Sequence, residues 1–193
     1  MWLNQLRRRL GIGNRKSASV RRPQPGLRIE HLEDRLVPAF INVTSTLDNV
    51  AGFSTAGHAG TAADPLQAPS LRSAITYANA TPGADTIQLA TVGTYAITLA
   101  GTGDDANLNG DFDILAAGGD LTITNTSGGI VAVDGKLHDR VFDINPTFNF
   151  AAPSAKFLVT FEGFRIQHGL ANAKDHAASS GGASATWATP ASP

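Results

Sequence analysis

Cysteine is absent from the 193 residues. That excludes a disulfide framework, a thiol nucleophile, Cys-ligated zinc and iron–sulfur clusters. Charge is scarce too, at 16% Asp, Glu, Lys and Arg, against roughly 25% in ordinary soluble domains. Met occurs once, and Trp and Tyr twice each. No apolar run approaches the roughly 18–20 residues of a membrane-spanning helix. What the chain has instead is 20 Gly, 10 Pro and 42% hydrophobic residues. This is the profile of a turn-rich β protein with small side chains, not of a helical bundle or coiled coil. The length suits one domain plus a tail.

The net charge of −1 conceals two unlike parts. Residues 1–39 hold nine Lys/Arg against Glu30, Glu33 and Asp34, a net +6. Residues 40–193 hold six Lys/Arg against thirteen acids, a net −7. A basic arm on an acidic body is read as two segments.

The arm opens Met1-Trp2-Leu3-Asn4-Gln5-Leu6-Arg7-Arg8-Arg9-Leu10, a pattern open to a nucleic-acid arm, a membrane-surface anchor or an export signal. It lacks the apolar core of about 7–15 residues that a standard secretory signal needs. Phosphate binding by the arm would be opposed by the acidic body; nucleic acid is not expected as a partner. Leu32-Glu33-Asp34-Arg35-Leu36-Val37-Pro38-Ala39 resembles the LE-x-R-L-x-P-A motif that follows basic leaders in many large exported bacterial surface proteins. That resemblance implies export and an extracellular or cell-surface location. Residues 1–39 are accordingly expected to be a mostly disordered targeting segment.

In the body, Leu71, Ala74, Ile75 and Ala78 recur at i, i+3, i+4, i+7, which predicts a helix over 70–81 with Ser70 as N-cap and Pro82-Gly83 as its stop. Arg72, Ser73, Thr76 and Asn79 fall on the outward side of that wheel. The rest of the body reads as short β runs separated by Gly, Asn and Asp: Phe40–Thr46, Thr86–Leu89, Tyr95–Leu99, Leu121–Thr124, Ile130–Val133, Arg140–Ile144, Phe157–Phe161 and Phe164–Ile166. Short strands with glycine corners at a coarse period of about 20-odd residues predict an all-β fold, a right-handed parallel β-helix (solenoid), truncated, with one N-terminal capping helix over its first edge. A β-sandwich is the structural rival.

The string Ser70-Leu71-Arg72-Ser73-Ala74-Ile75, then Ala78-Asn79-Ala80, then Pro82-Gly83-Ala84-Asp85-Thr86-Ile87 resembles the CSLREA-type opening of bacterial right-handed parallel β-helix proteins. Pro69 and Ser73 stand where that name has Cys and Glu. The resemblance spans about residues 40–170 and implies a surface or secreted protein related to polymorphic outer-membrane proteins and adhesins. It implies no catalytic residues.

One acidic loop offers ligand chemistry. Asp105, Asn107, Asn109, Gly110 and Asp113 occupy positions 1, 3, 5, 6 and 9 of an EF-hand-like loop, with Asp111 between them. Position 12, where a bidentate carboxylate closes the site, is Ala116. Asp105, Asn107, Asn109, Asp111 and Asp113 are therefore candidates for weak calcium binding, against the simpler reading of a turn whose side chains cap their own backbone. His31, His58, His138, His168 and His176 form no zinc-type pair. Asp134 and Asp143 could be cast as a glycosidase carboxylate pair, but both read more simply as turn and strand residues, and no enzyme activity is expected.

The expected function is a non-catalytic exported or cell-surface protein, adhesive or structural in the envelope, and the N-terminal fragment of something longer. The alternative is a protein that binds or degrades polysaccharide. Residues 171–193, rich in Ala, Ser, Thr and Gly, are expected to be a disordered tail.

Overall fold

Ser70 starts the only α-helix among the described residues. Its backbone is extended, and its hydroxyl accepts the amide of Ser73 at 3.0 Å, as an N-cap does. Helix α1 runs Leu71–Ala80, and the Thr81 amide closes it on the Tyr77 and Ala78 carbonyls. The computed structural model describes residues 37–146, 156–170 and the backbone of 185–188. The expectations for the leader before residue 37 lie outside this range.

The strands are β1 Phe40–Val43, β2 Leu66–Ala68, β3 Asp85–Leu89, β4 Gly93–Ala96, β5 Phe112–Ile114, β6 Leu121–Asn125, β7 Val131–Asp134, β8 Phe142–Ile144, β9 Val159–Glu162, β10 Arg165–Gln167 and β11 Ala185–Ala188. They form three sheets, ordered β11-β9-β6-β3-β1-β2, β10-β7-β4 and β5-β8. Every pairing is parallel. In the large sheet Leu66, Ile41, Ile87, Ile123 and Phe161 stand in register across five strands. All five are buried, each contributing about 1.5–3 kcal/mol of apolar burial. Asn42, Gln88, Thr122 and Thr124 alternate with them and are more exposed, the period-2 signature of a strand.

The expectation of an all-β parallel β-helix with a helix laid over its end is corrected here. Helix α1 belongs to the core: Leu71, Ala74, Ile75 and Ala78 are buried, and so are Arg72 and Ser73, which the helical wheel places outside. The result is a mixed α/β fold of three parallel sheets and one buried helix. Short strands with glycine corners look alike locally in both arrangements, so the residue pattern did not separate them. The antiparallel sandwich fails as well, because every pairing among the described residues is parallel.

Strand β11 is a second departure, since it lies in the segment expected to be disordered. It pairs with β9 from Ala185↔Val159 to Ala188↔Glu162. An open strand edge offers backbone donors and acceptors to any extended segment, whatever its side chains.

A short 3₁₀ turn, Ala116–Gly118, packs the β5–β6 connection beside α1. Gly119 follows it with φ of 90°, and a Cβ there would collide with the Gly83 carbonyl. Glycine is required on both counts. No helix of the described residues is long and apolar enough to cross a membrane.

Candidate metal centre

Arg72 fixes the acidic loop to the helix. It is fully buried, and its guanidinium forks onto Asp48, Nε to Oδ1 at 2.7 Å and Nη2 to Oδ2 at 3.2 Å. The same group donates to the carbonyls of Gly110 at 2.8 Å and Asp111 at 3.0 Å, and lies 4.7 Å from the Phe112 ring centroid. Asp48 also accepts the amides of Thr98 and Leu99. A guanidinium presents five donors in a rigid plane, so one side chain ties α1, the 45–49 segment and the loop together.

Asn107 completes the attachment. Its backbone is left-handed, φ 58°, a conformation Asn tolerates. Its side-chain amide donates to the Arg72 carbonyl at 2.9 Å and the Thr76 hydroxyl at 2.8 Å. Its side-chain oxygen accepts the Asp113 amide at 3.2 Å, and its own amide donates to Asp113 Oδ2 at 2.8 Å. Arg72 Nη1 also donates to the Asn107 side-chain oxygen at 3.5 Å, so both lone pairs of that oxygen are engaged within the protein.

The loop lies over the outer face of β5, so Asp113 is buried although Phe112 and Ile114 take the core positions beside it. Asp113 pairs in register with Asp143 of β8. Ligand oxygens of Asp105, Asp113 and Asp143 lie within 4.8 Å of one another, with Asp105 exposed and the other two buried. These three carboxylates can hold a metal ion.

Arg140 sits beside this group. Its Nε meets Asp111 Oδ2 at 2.9 Å and its Nη2 meets Asp143 Oδ2 at 2.8 Å. The Arg140 amide donates to Asp139 Oδ1 at 2.8 Å. One cation thus serves several carboxylates, and the deficit is visible atom by atom. Asp111 Oδ1, Asp113 Oδ1 and Asp139 Oδ2 are buried with no hydrogen-bond partner. Burial, only partly offset by the Asn107 amide and reinforced by Asp111, pushes the Asp113 carboxyl up to about 8. Burial also lifts Asp111 to about 6, against the attraction of Arg140.

No family model matches the chain, and no curated protein or solved structure matches it.

The five ligand candidates of the loop are thus divided by the structure. Asp105 and Asp113 converge with Asp143, which Arg140 also contacts, whereas Asp111 and Asn107 do not join that cluster. Asn109 packs against Gly101, where a Cβ would meet its side-chain oxygen. Asp143 joins the group from 30 residues downstream of Asp113. The repeated triplet Phe-Asp-Ile at 112–114 and 142–144 is the signal that brings it there.

Asp134 and Asp143 belong to different sheets. Asp134 accepts the Lys136 amide at 2.8 Å, Gln167 Nε2 at 3.0 Å and lies 3.1 Å from His168 Nδ1. Burial raises its carboxyl, but these contacts outweigh burial and hold it below the usual carboxylate range. His58 pairs with Asp64 at 2.8 Å on the surface. His31 and His176 lie outside the described residues.

Proposed function

We propose that this chain is a non-catalytic protein of the exported or cell-surface class, with an adhesive or envelope-structural role. The observation that carries the reading is the order of segments: an Arg-rich leader, the LE-x-R-L-x-P-A-like motif, then a folded body beginning at β1. The similarity of residues 70–87 to CSLREA-type openings supports the same class. The engagement of Asp134, Arg72 and Asn107 in structural hydrogen bonds supports a non-catalytic reading. Envelope polysaccharide is the partner class this reading names, and nucleic acid is not, given the −7 body.

Calcium belongs to the same reading, because a donor set made only of oxygens suits that ion. With Ala116 at the closing position, the 105–116 loop alone would hold it weakly. Fractionation of bacteria expressing a C-terminally tagged full chain tests the location. The tag is expected in the envelope or medium, and deletion of residues 1–39 should return it to the cytoplasm. A full chain found entirely in the cytoplasm overturns the proposal.

A further inference from the structure

We propose that Asp143 supplies the carboxylate that the loop lacks at Ala116, so that Asp105, Asp113 and Asp143 form one calcium site stapling β8 to the 104–113 loop. The inference deepens the calcium reading above and rests on it. Three observations converge. The ligand oxygens lie within 4.8 Å of one another, the span of two oxygens on opposite sides of an ion with bonds of about 2.3–2.6 Å. Magnesium demands a near-octahedral shell at about 2.0–2.1 Å and dehydrates reluctantly, so the more adaptable calcium shell is the better match. Asp113, fully buried, carries an oxygen with no partner, and Asp111 and Asp139 carry two more close by. Buried carboxylate oxygens demand a partner, and Arg140 alone does not reach all of them.

The parallel register is what makes the site possible. Asp113 and Asp143 are directly paired rungs of β5 and β8, so their side chains project from the same face. Asp105 approaches from the loop that Arg72 and Asn107 hold against that face. Water completes the shell on the exposed Asp105 side, since three carboxylates fall short of calcium's 6–8 oxygens. Such a site belongs with the weak calcium modules, with a Kd of about 0.1–1 mM.

The test is calorimetric titration of calcium into the chelator-treated full chain, with hydrogen exchange read over residues 139–145. One ion per chain is expected, with Asp105→Asn and Asp143→Asn each weakening binding at least about tenfold. Asn109→Ala should leave affinity within about twofold, and magnesium should bind more weakly than calcium. Calcium should slow exchange of the Val141–Ile144 amides. Absence of any calcium binding overturns the calcium reading itself. Binding that survives Asp143→Asn unchanged means that the loop acts alone and overturns only the staple. If Asp143→Asn does not fold, the wild-type exchange experiment decides: bound calcium with unaltered protection of β8 overturns the staple.

Discussion

Replacing Arg72 with methionine keeps an unbranched stem and removes the guanidinium, which isolates the clamp between α1 and the acidic loop. The substitution takes two contacts from Asp48, whose side chain is 2% exposed, and strands the Gly110 and Asp111 carbonyls. Removing one partner of a buried ion pair costs about 3–5 kcal/mol. Each stranded buried acceptor adds about 1–3 kcal/mol if nothing relaxes. The Thr98 and Leu99 amides still solvate Asp48, so these costs overlap, and a loss of about 4–6 kcal/mol is expected. Against a typical total of about 5–15 kcal/mol, that approaches the threshold of folding. Urea melts of the full chain, followed by circular dichroism, measure it directly. At about 2–4 °C per kcal/mol for a domain of this size, Tm should fall by about 10–20 °C. Arg72→Met combined with Asp48→Asn should recover part of the loss, because it removes the stranded charge while the Asn side-chain oxygen still accepts the Thr98 and Leu99 amides. A loss below about 1 kcal/mol, or a double variant no more stable than the single one, would refute the clamp.

Gly119→Ala should cost more than about 1 kcal/mol, because it combines a left-handed backbone with a collision on the Gly83 carbonyl; a melt unchanged within error would show that the turn can move aside. The depressed pKa of Asp134 means that its stabilisation is fully present above the unfolded-state value of about 3.9 and is lost as pH falls through the lower folded value. Asp134→Asn should therefore flatten the stability profile below about pH 4, and an acid limb as steep as the wild type's would assign that titration to other groups.

Local features of the fold were legible where local chemistry decides them. Ser70 caps α1 as its spacing predicts, and the runs at 86–89 and 121–124 are strands whose buried faces alternate, whereas β7, in the run read as 130–133, is buried at every residue. The expected strand at Tyr95–Leu99 begins earlier, at Gly93, because its register is set by Val131 and Ala132 opposite. Arg72 was misplaced because a helical wheel assigns charge to water. Its burial is tolerable only with Asp48, which lies 24 residues upstream in an irregular segment. The site was half legible for the same reason. Asp105 and Asp113 share a local spacing, whereas Asp143 arrives through strand pairing, which no window of the sequence contains. The fold class went astray because glycine corners and three-residue strands say how the chain bends, not how its layers assemble.

The parallel pairing has a consequence for how this chain reaches its native state. Among the described residues no two-residue hairpin is available to nucleate a sheet. The shortest ladder partner of β1 lies at Leu66, 25 residues from Ile41, and its other edge waits for Ile87, 46 residues away. Each rung must close a loop before it returns any energy, and such topologies fold slowly, in milliseconds to seconds. During synthesis β1 emerges first and stays open on its second edge until β3 is complete. Among the described strands β1 therefore waits across the longest stretch of sequence for its second edge to be paired, and in the meantime that edge is open to wrong partners.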